Sequence, residues 1–331
     1  MSFARVAAVG CCPTRAAMTV PLVLVLAALA AAGCAHPAPA SARPPAEHAP
    51  DPERDPALLA VLWMQHAAER DAICRQTFRA ARAMLDAALA DPQWTAALEQ
   101  TDAPDVASLP PAILVDVDET VLDNSAYNAR NILTGRKFDL ESWAAWTAEA
   151  QAPPLPGAVE FLTAAAHRGV TIFYVTNRRQ AEEPATRQNL ARHGFPLLDR
   201  DGVDVVLCRG EHGDDPEKVA RRARVAATHR ILMLIGDDLN DFLPGVRPTP
   251  ADERHAVASR RSEGHELARA RRQRVGEFAE WFGVRWFLLP NPLYGSWLYT
   301  LEAAALPDDG ADPVLHLQLC TRRVEKLPAA R

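Results

Sequence analysis

Lysine is nearly missing from this chain. Of its 36 basic residues among 331, only Lys137, Lys218 and Lys326 are lysines, and the other 33 are arginine. Any single lysine therefore raises the question of why a compact point charge replaces the planar fork that the chain uses elsewhere. There is no basic tract, and 42 acidic residues leave a formal charge of −6. That balance argues against binding to a nucleic-acid backbone. No Walker-type loop occurs, and Tyr294-Gly295-Ser296-Trp297 lacks the glycine that must precede the serine of a nucleophile elbow. Cysteine is sparse: residues 11, 12, 34, 74, 208 and 320 form neither a disulfide framework nor a CxxC zinc signature. A single bridge among Cys74, Cys208 and Cys320 stays open on the sequence alone.

The N-terminus has the features of an address. Thr19–Ala32 is an apolar run of 14 residues, short for a membrane span and suited to a signal-peptide core. Arg5 and Arg15 precede it without any acid, and it ends in Ala31-Ala32-Gly33-Cys34. Small residues before a cysteine resemble a bacterial lipobox, which predicts a lipid on Cys34 and an outer-membrane envelope location. Ala31 stands where that motif prefers leucine, so ordinary cleavage releasing a soluble protein is the alternative. Residues 1–34 are thus read as leader, and 35–56, rich in Pro and Ala, as an extended tether. Residues 57–305 are read as the folded domain and 306–331 as a tail.

At 48% hydrophobic, the chain has ample material for a core. Five short apolar runs predict strands: Ala112–Val117, Val170–Val175, Val203–Leu207, Ile231–Ile235 and Val284–Leu289. Helical patterns cover 57–92 and lie near 156–168, 180–193, 216–228 and 252–282. Strands alternating with helices imply an α/β fold with a parallel sheet covered on both faces.

Acidic residues stand directly after two of these runs. Asp116-Val117-Asp118-Glu119-Thr120 follows the first, and Gly236-Asp237-Asp238-Leu239-Asn240-Asp241 follows the fourth. The carboxyl edge of an open α/β sheet is where ligands bind. Taken alone, the DxD is also compatible with a charged turn, a glycosyltransferase metal site or a phosphoacceptor. The second run ends at Thr176-Asn177-Arg178, a hydroxyl with helix-start amides suited to cradling an oxyanion. Lys218 falls between these segments. The set suits attack of a carboxylate on a phosphomonoester, where each like-charge pair at 4 Å costs about 4 kcal/mol at an effective dielectric near 20. A lysine and a divalent cation would offset that repulsion. Hard oxygen ligands favour Mg²⁺ over zinc.

Residues 113–127 (ILVDVDETVLDNSAY) and 231–242 (ILMLIGDDLNDF) resemble the two signatures of class C non-specific acid phosphatases, within the haloacid dehalogenase superfamily. Residues 287–297 (FLLPNPLYGSW) resemble a late segment of the same family. The resemblance spans roughly 57–300. It implies a Rossmann-like core with a mainly helical cap, and Mg²⁺-dependent hydrolysis of phosphomonoesters, 5′-nucleotides among them. By the same resemblance, Asp116 is the nucleophile that forms an aspartyl-phosphate and Asp118 the general acid/base, whose backbone carbonyl also binds metal. Thr176 and Asn177 hold the phosphoryl oxygens, Lys218 orders nucleophile and phosphate, Asp116 and Asp237 bind the metal directly, and Asp241 binds it directly or through water. Tyr127, Trp143, Trp146 and Tyr294 are candidates for stacking on a base; the bland alternative for the two tryptophans is packing of a helix onto the core. Asp238 stands where the family usually has Asn, placing one more acid beside the metal. Arg260-Arg261 and the run 269–274 read as a solvated helix face, with subunit contact in a homodimer as the alternative. His167, His193 and His229 read as helix-surface residues. Competing functions are a ligand-binding lipoprotein on the same scaffold and a phosphotransferase of the same superfamily.

Overall fold

The computed structural model describes residues 51–198, 202–211, 216–247 and 257–305. The leader with Cys34, the tether up to residue 50, Cys320 and the tail lie outside the described residues. None of the helices among the described residues is long and apolar enough to cross a membrane.

Five parallel strands form one sheet in the order β3-β2-β1-β4-β5. They are β1 (Pro111–Val115), β2 (Thr171–Arg179), β3 (Val206–Arg209), β4 (Arg230–Gly236) and β5 (Trp286–Leu288). Every residue of β4 is buried, and so is all of β1 except Pro111. Because successive side chains point to opposite faces, unbroken burial means that both faces are covered. Ile113 pairs in register with Ile172 on one side and Met233 on the other. The chain runs outward from β1 through β2 to β3, then returns to lay β4 against the other flank of β1. The switch point therefore lies between β1 and β4, and a crevice opens there beyond the strand ends.

Two helices form where one helical pattern was expected over 57–92. They are α1 (Leu58–His66) and α2 (Ala68–Ala90), separated by Ala67 in an extended conformation. On α2, Cys74, Phe78, Ala81, Leu85 and Ala88 recur at helical spacing and are all buried. This face packs on α5 (Ala158–His167) and on the sheet. Cys74 and Cys208 are both buried free thiols, so neither forms the bridge left open above.

The segment after β1 supplies α3 (Ser125–Thr134) and α4 (Leu140–Glu149). Gly135 ends α3 in a left-handed cap, and Asp139 starts α4 by accepting bonds from the amides of Glu141 (3.0 Å) and Ser142 (2.8 Å). Val61 and Met64 of α1, Ile132 of α3 and Leu293 form a small apolar cluster of their own. Tyr127 of α3 meets Trp143 and Ser142 of α4, so the cap comprises α1, α3, α4 and the loop around Leu293. The remaining helices are α6 (Glu183–Arg192), α7 (Val219–Ala226), α8 (Val257–Glu277) and α9 (Ser296–Ala305), with α8 packed on α9.

Two expectations need correction here. Arg271 belongs to the run read as a solvated face, yet it is buried and donates to the Val246 carbonyl and to Ser296 Oγ (2.8 Å). His229 is buried at the start of β4, edge-on to Phe173 at 4.9 Å, rather than on a helix surface. Both residues satisfy contacts distant in sequence, which local pattern does not report.

Candidate active site

The β1–β4 pairing delivers the first two acids together. The Asp116 amide donates to the Ile235 carbonyl at 2.9 Å, so Asp116 continues the ladder and Asp237 emerges two residues beyond its partner. After Val117 the chain doubles back: the amides of Val121 and Leu122 both bond the Val117 carbonyl, and Glu119 takes a left-handed φ of 57°. This turn lets Asp116 and Asp118 line one cavity of about 310 Å³ together with Lys218, Asp237 and Asp241.

Lys218 sits immediately before α7 and reaches between two carboxylates. Its Nζ donates to Asp116 Oδ1 and lies 2.7 Å from Asp241 Oδ1. It is almost wholly buried. Burial alone would lower its pKa, but Asp116 and Asp241 outweigh burial and raise it. Burial pushes the Asp116 carboxyl up to about 6, against the pull of Lys218 and with the help of Asp241. Burial, then Asp116 and Asp241, raise Asp237 as well. Thr120 Oγ1 stands 3.2 Å from both Asp116 Oδ2 and Asp237 Oδ1, and Asn291 Nδ2 donates to Asp237 Oδ2 at 2.7 Å.

Asp116, Asp237 and Asp241 each offer a carboxylate oxygen, and those oxygens lie within 4.8 Å of one another. A hard, all-oxygen donor set of mutually repelling acids, two of them buried and one half-buried, fits a divalent cation. Asp241 also organises the loop: its Oδ2 accepts the amides of Asp237 (3.1 Å) and Asp238 (3.0 Å). Gly236 makes that possible, since a Cβ there would fall 2.1 Å from Asp241 Oδ2.

The phosphoryl cradle differs from expectation. β2 continues through Thr176 and Asn177 to Arg179, so neither residue lies at a helix start. Pairing with β3 resumes at Arg179, which keeps the strand extended. Thr176 is fully buried and its hydroxyl accepts the Arg178 amide (3.1 Å). Asn177 lines the cavity. Arg221 fixes both, donating to the Thr176 carbonyl and to Asn177 Oδ1 (2.6 Å). It lies one helical turn beyond Lys218, a spacing that could have flagged it.

Arg178 takes a role that the local sequence does not announce. It is fully buried and grips Asp118 through Nε (3.0 and 3.2 Å) and Nη2 (2.8 Å). Asn124 completes the grip, its Nδ2 donating to Asp118 Oδ1 at 2.9 Å. Asp238 lines the same cavity as one more acid beside Asp237, but its carboxylate is engaged elsewhere. Its carboxylate accepts the backbone amide and hydroxyl of Ser296 and lies 3.9 Å from Arg271, so its charge caps α9.

Tyr127, Trp143 and Tyr294 line the cavity, joined by Phe138. Tyr127 and Trp143 meet edge-to-face at 5.1 Å, and Phe138 is 60% exposed at the mouth. Trp146 does not line this cavity. It is buried behind it with its indole N–H donated to Asn124 Oδ1 (2.8 Å), which corrects its reading as a stacking residue.

Comparison with known proteins agrees with this geometry. The family model described as HAD superfamily, subfamily IIIB (acid phosphatase), matches residues 38–297. Among solved structures, the class C acid phosphatase from Bacillus anthracis is similar, with a TM-score of 0.62 and 30% identity over 83% of this chain and 98% of that one. The tungstate-bound structure of the class C acid phosphatase from the same organism gives a TM-score of 0.60 and 29% identity at the same coverage. With its signature acids gathered at the switch point of a parallel sheet, the chain belongs to the acid phosphatases of HAD subfamily IIIB, hydrolases of phosphomonoesters.

Proposed function

We propose that the chain hydrolyses phosphomonoesters, with Mg²⁺ bound, through an aspartyl-phosphate on Asp116. The observation that carries this reading is a buried carboxylate held by one lysine beside two further acids. Asp116, Asp237, Asp241 and the Asp118 backbone carbonyl would hold the cation. Its chemistry would be to neutralise phosphoryl and carboxylate charge at the moment of attack. Lys218 orients Asp116 and faces the incoming phosphate with a buried positive charge. Asn177, steadied by Arg221, offers its amide to a phosphoryl oxygen. Asp118 gives a proton to the leaving oxygen and later takes one from the attacking water.

The aromatic mouth formed by Tyr127, Phe138, Trp143 and Tyr294 supports substrates whose alcohol carries a flat ring. Nucleoside 5′-monophosphates are the substrate class we propose. The run before Cys34 supports an envelope protein anchored by a lipid on that residue, testable by fatty-acid labelling of the wild type and C34S.

The decisive experiment is a phosphate-release screen of aryl phosphates, sugar phosphates and 5′-nucleotides, with and without Mg²⁺, on wild type and D116N. Turnover that needs both Mg²⁺ and Asp116, with a higher kcat/KM for nucleotides than for sugar phosphates, is expected. Undiminished turnover by folded D116N would overturn the mechanism.

A further inference from the structure

The carboxylate of Asp118 is held by two residues, and each of them rests on a different tryptophan of α4. Arg178 lies beneath Trp143, with its guanidinium carbon 5.8 Å from the ring centroid. Asn124 is tied to Trp146 by the indole N–H. An indole nitrogen can only donate. That bond holds the Asn124 oxygen toward Trp146, while its NH₂ faces Asp118 Oδ1 at 2.9 Å and, at 3.5 Å, Glu119 Oε2 and the Leu122 carbonyl. The two tryptophans are three residues apart, one helical turn, so a single helix reaches the acid by two routes.

The hydrogen bonds on Asp118 are unequal. Oδ1 receives Arg178 Nη2 at 2.8 Å, Asn124 Nδ2 at 2.9 Å and Arg178 Nε at 3.0 Å, whereas Oδ2 has the longer contact with Arg178 Nε, 3.2 Å. Oδ2 is thus the oxygen left to carry a proton. We propose that α4 positions the acid for its substrate, Trp146 acting through Asn124 and Trp143 through Arg178, so that the helix lining the leaving-group side of the cavity also aims the proton.

This inference rests on the reading of Asp118 as general acid. In that step an Asp116 oxygen forms a bond to phosphorus as the bond from phosphorus to the leaving oxygen breaks. The electron pair goes to the leaving oxygen, which takes the proton from Asp118 Oδ2. Asp118 becomes a carboxylate, and the donors already on it then make charge-assisted bonds. Arg178 and Asn124 therefore hold the carboxylate in one orientation while the proton is passed on.

A leaving group that is a poor base needs little proton transfer, and a strongly basic one needs it most. The test is kcat/KM for a series of phenyl phosphates of similar size: 4-nitrophenyl, 4-chlorophenyl, phenyl and 4-methylphenyl. W146F keeps an aromatic ring and removes the N–H. Loss of one orienting hydrogen bond should lower kcat/KM for 4-methylphenyl phosphate about fivefold more than for 4-nitrophenyl phosphate. R178K keeps the charge but not the fork, and should steepen the dependence further. Each ratio comes from one enzyme solution, so partial misfolding cancels. Equal losses across the series, or no change in either variant, would overturn the proposal while leaving the phosphatase reading intact. That reading would fall instead if folded D116N retained wild-type turnover.

Discussion

Replacing Lys218 probes the balance of charge on which the site depends. Its ammonium is almost fully buried between Asp116 and Asp241, 2.7 Å from the latter. At that separation and an effective dielectric near 20, one such pair has a gross attraction of about 6 kcal/mol. Desolvation offsets much of this, and removing one partner of a buried pair costs about 3–5 kcal/mol in practice. K218M would leave Asp116, Asp237 and Asp241 repelling one another where phosphate must enter. If about 3 kcal/mol of that appears in the transition state, kcat/KM falls by about a hundredfold. K218R separates charge from shape. The chain uses arginine in nearly every other basic position. Here the wider fork cannot sit between two carboxylates without displacing one, and a loss of about tenfold or more is expected. The assay is phosphate release from 4-nitrophenyl phosphate with Mg²⁺ added, with far-UV circular dichroism to confirm the fold. K218R within threefold of wild type would refute the claim that a compact charge is required, and K218M above a tenth of wild type would refute the charge argument altogether.

Two further outcomes follow from the same geometry. G236A places a methyl group against Asp241 Oδ2, whose bonds to the amides of Asp237 and Asp238 hold the acidic loop; phosphate release should fall more than tenfold, and wild-type turnover would show that the close approach is dispensable. Protons should compete with the cation. In the metal-free fold Asp116 is raised from its ordinary 3.8 to about 6, so its contribution favours folding at low pH and is lost as pH rises through that window. Asp237 is raised in the same direction. Added Mg²⁺ should therefore raise the thermal midpoint more at pH 7.5 than at pH 5, and an equal rise at both would contradict the carboxylate assignment.

Much of the fold was legible because buried parallel strands read as short apolar runs. All five runs became strands, β1 and β4 nearly residue for residue. The acids after β1 and β4 were legible for a related reason: a strand end at a switch point places polar residues in a crevice. Local pattern failed where long-range pairing decides. Thr176 and Asn177 stay in β2 because Arg179 pairs with Arg209 of β3. Arg178 and Arg221 were hidden by abundance, since 33 arginines make no single one conspicuous. Trp146 looked like a stacking ring until its indole N–H was seen to be committed to Asn124. Asp238 lines the cavity as the acidic run suggests, yet the partners of its carboxylate are 33 and 58 residues further along the chain, beyond the reach of local pattern. The helix break at Ala67 has no glycine or proline to announce it.

In the proposed mechanism Asp116 itself accepts the phosphoryl group. Acid quench of the enzyme during turnover of 4-nitrophenyl phosphate with Mg²⁺, followed by peptide mass spectrometry, tests it directly. A phosphoryl adduct on the peptide containing Asp116, and none in D116N, is the expected result. Steady turnover with no adduct on that peptide, or an adduct on another residue, would contradict it.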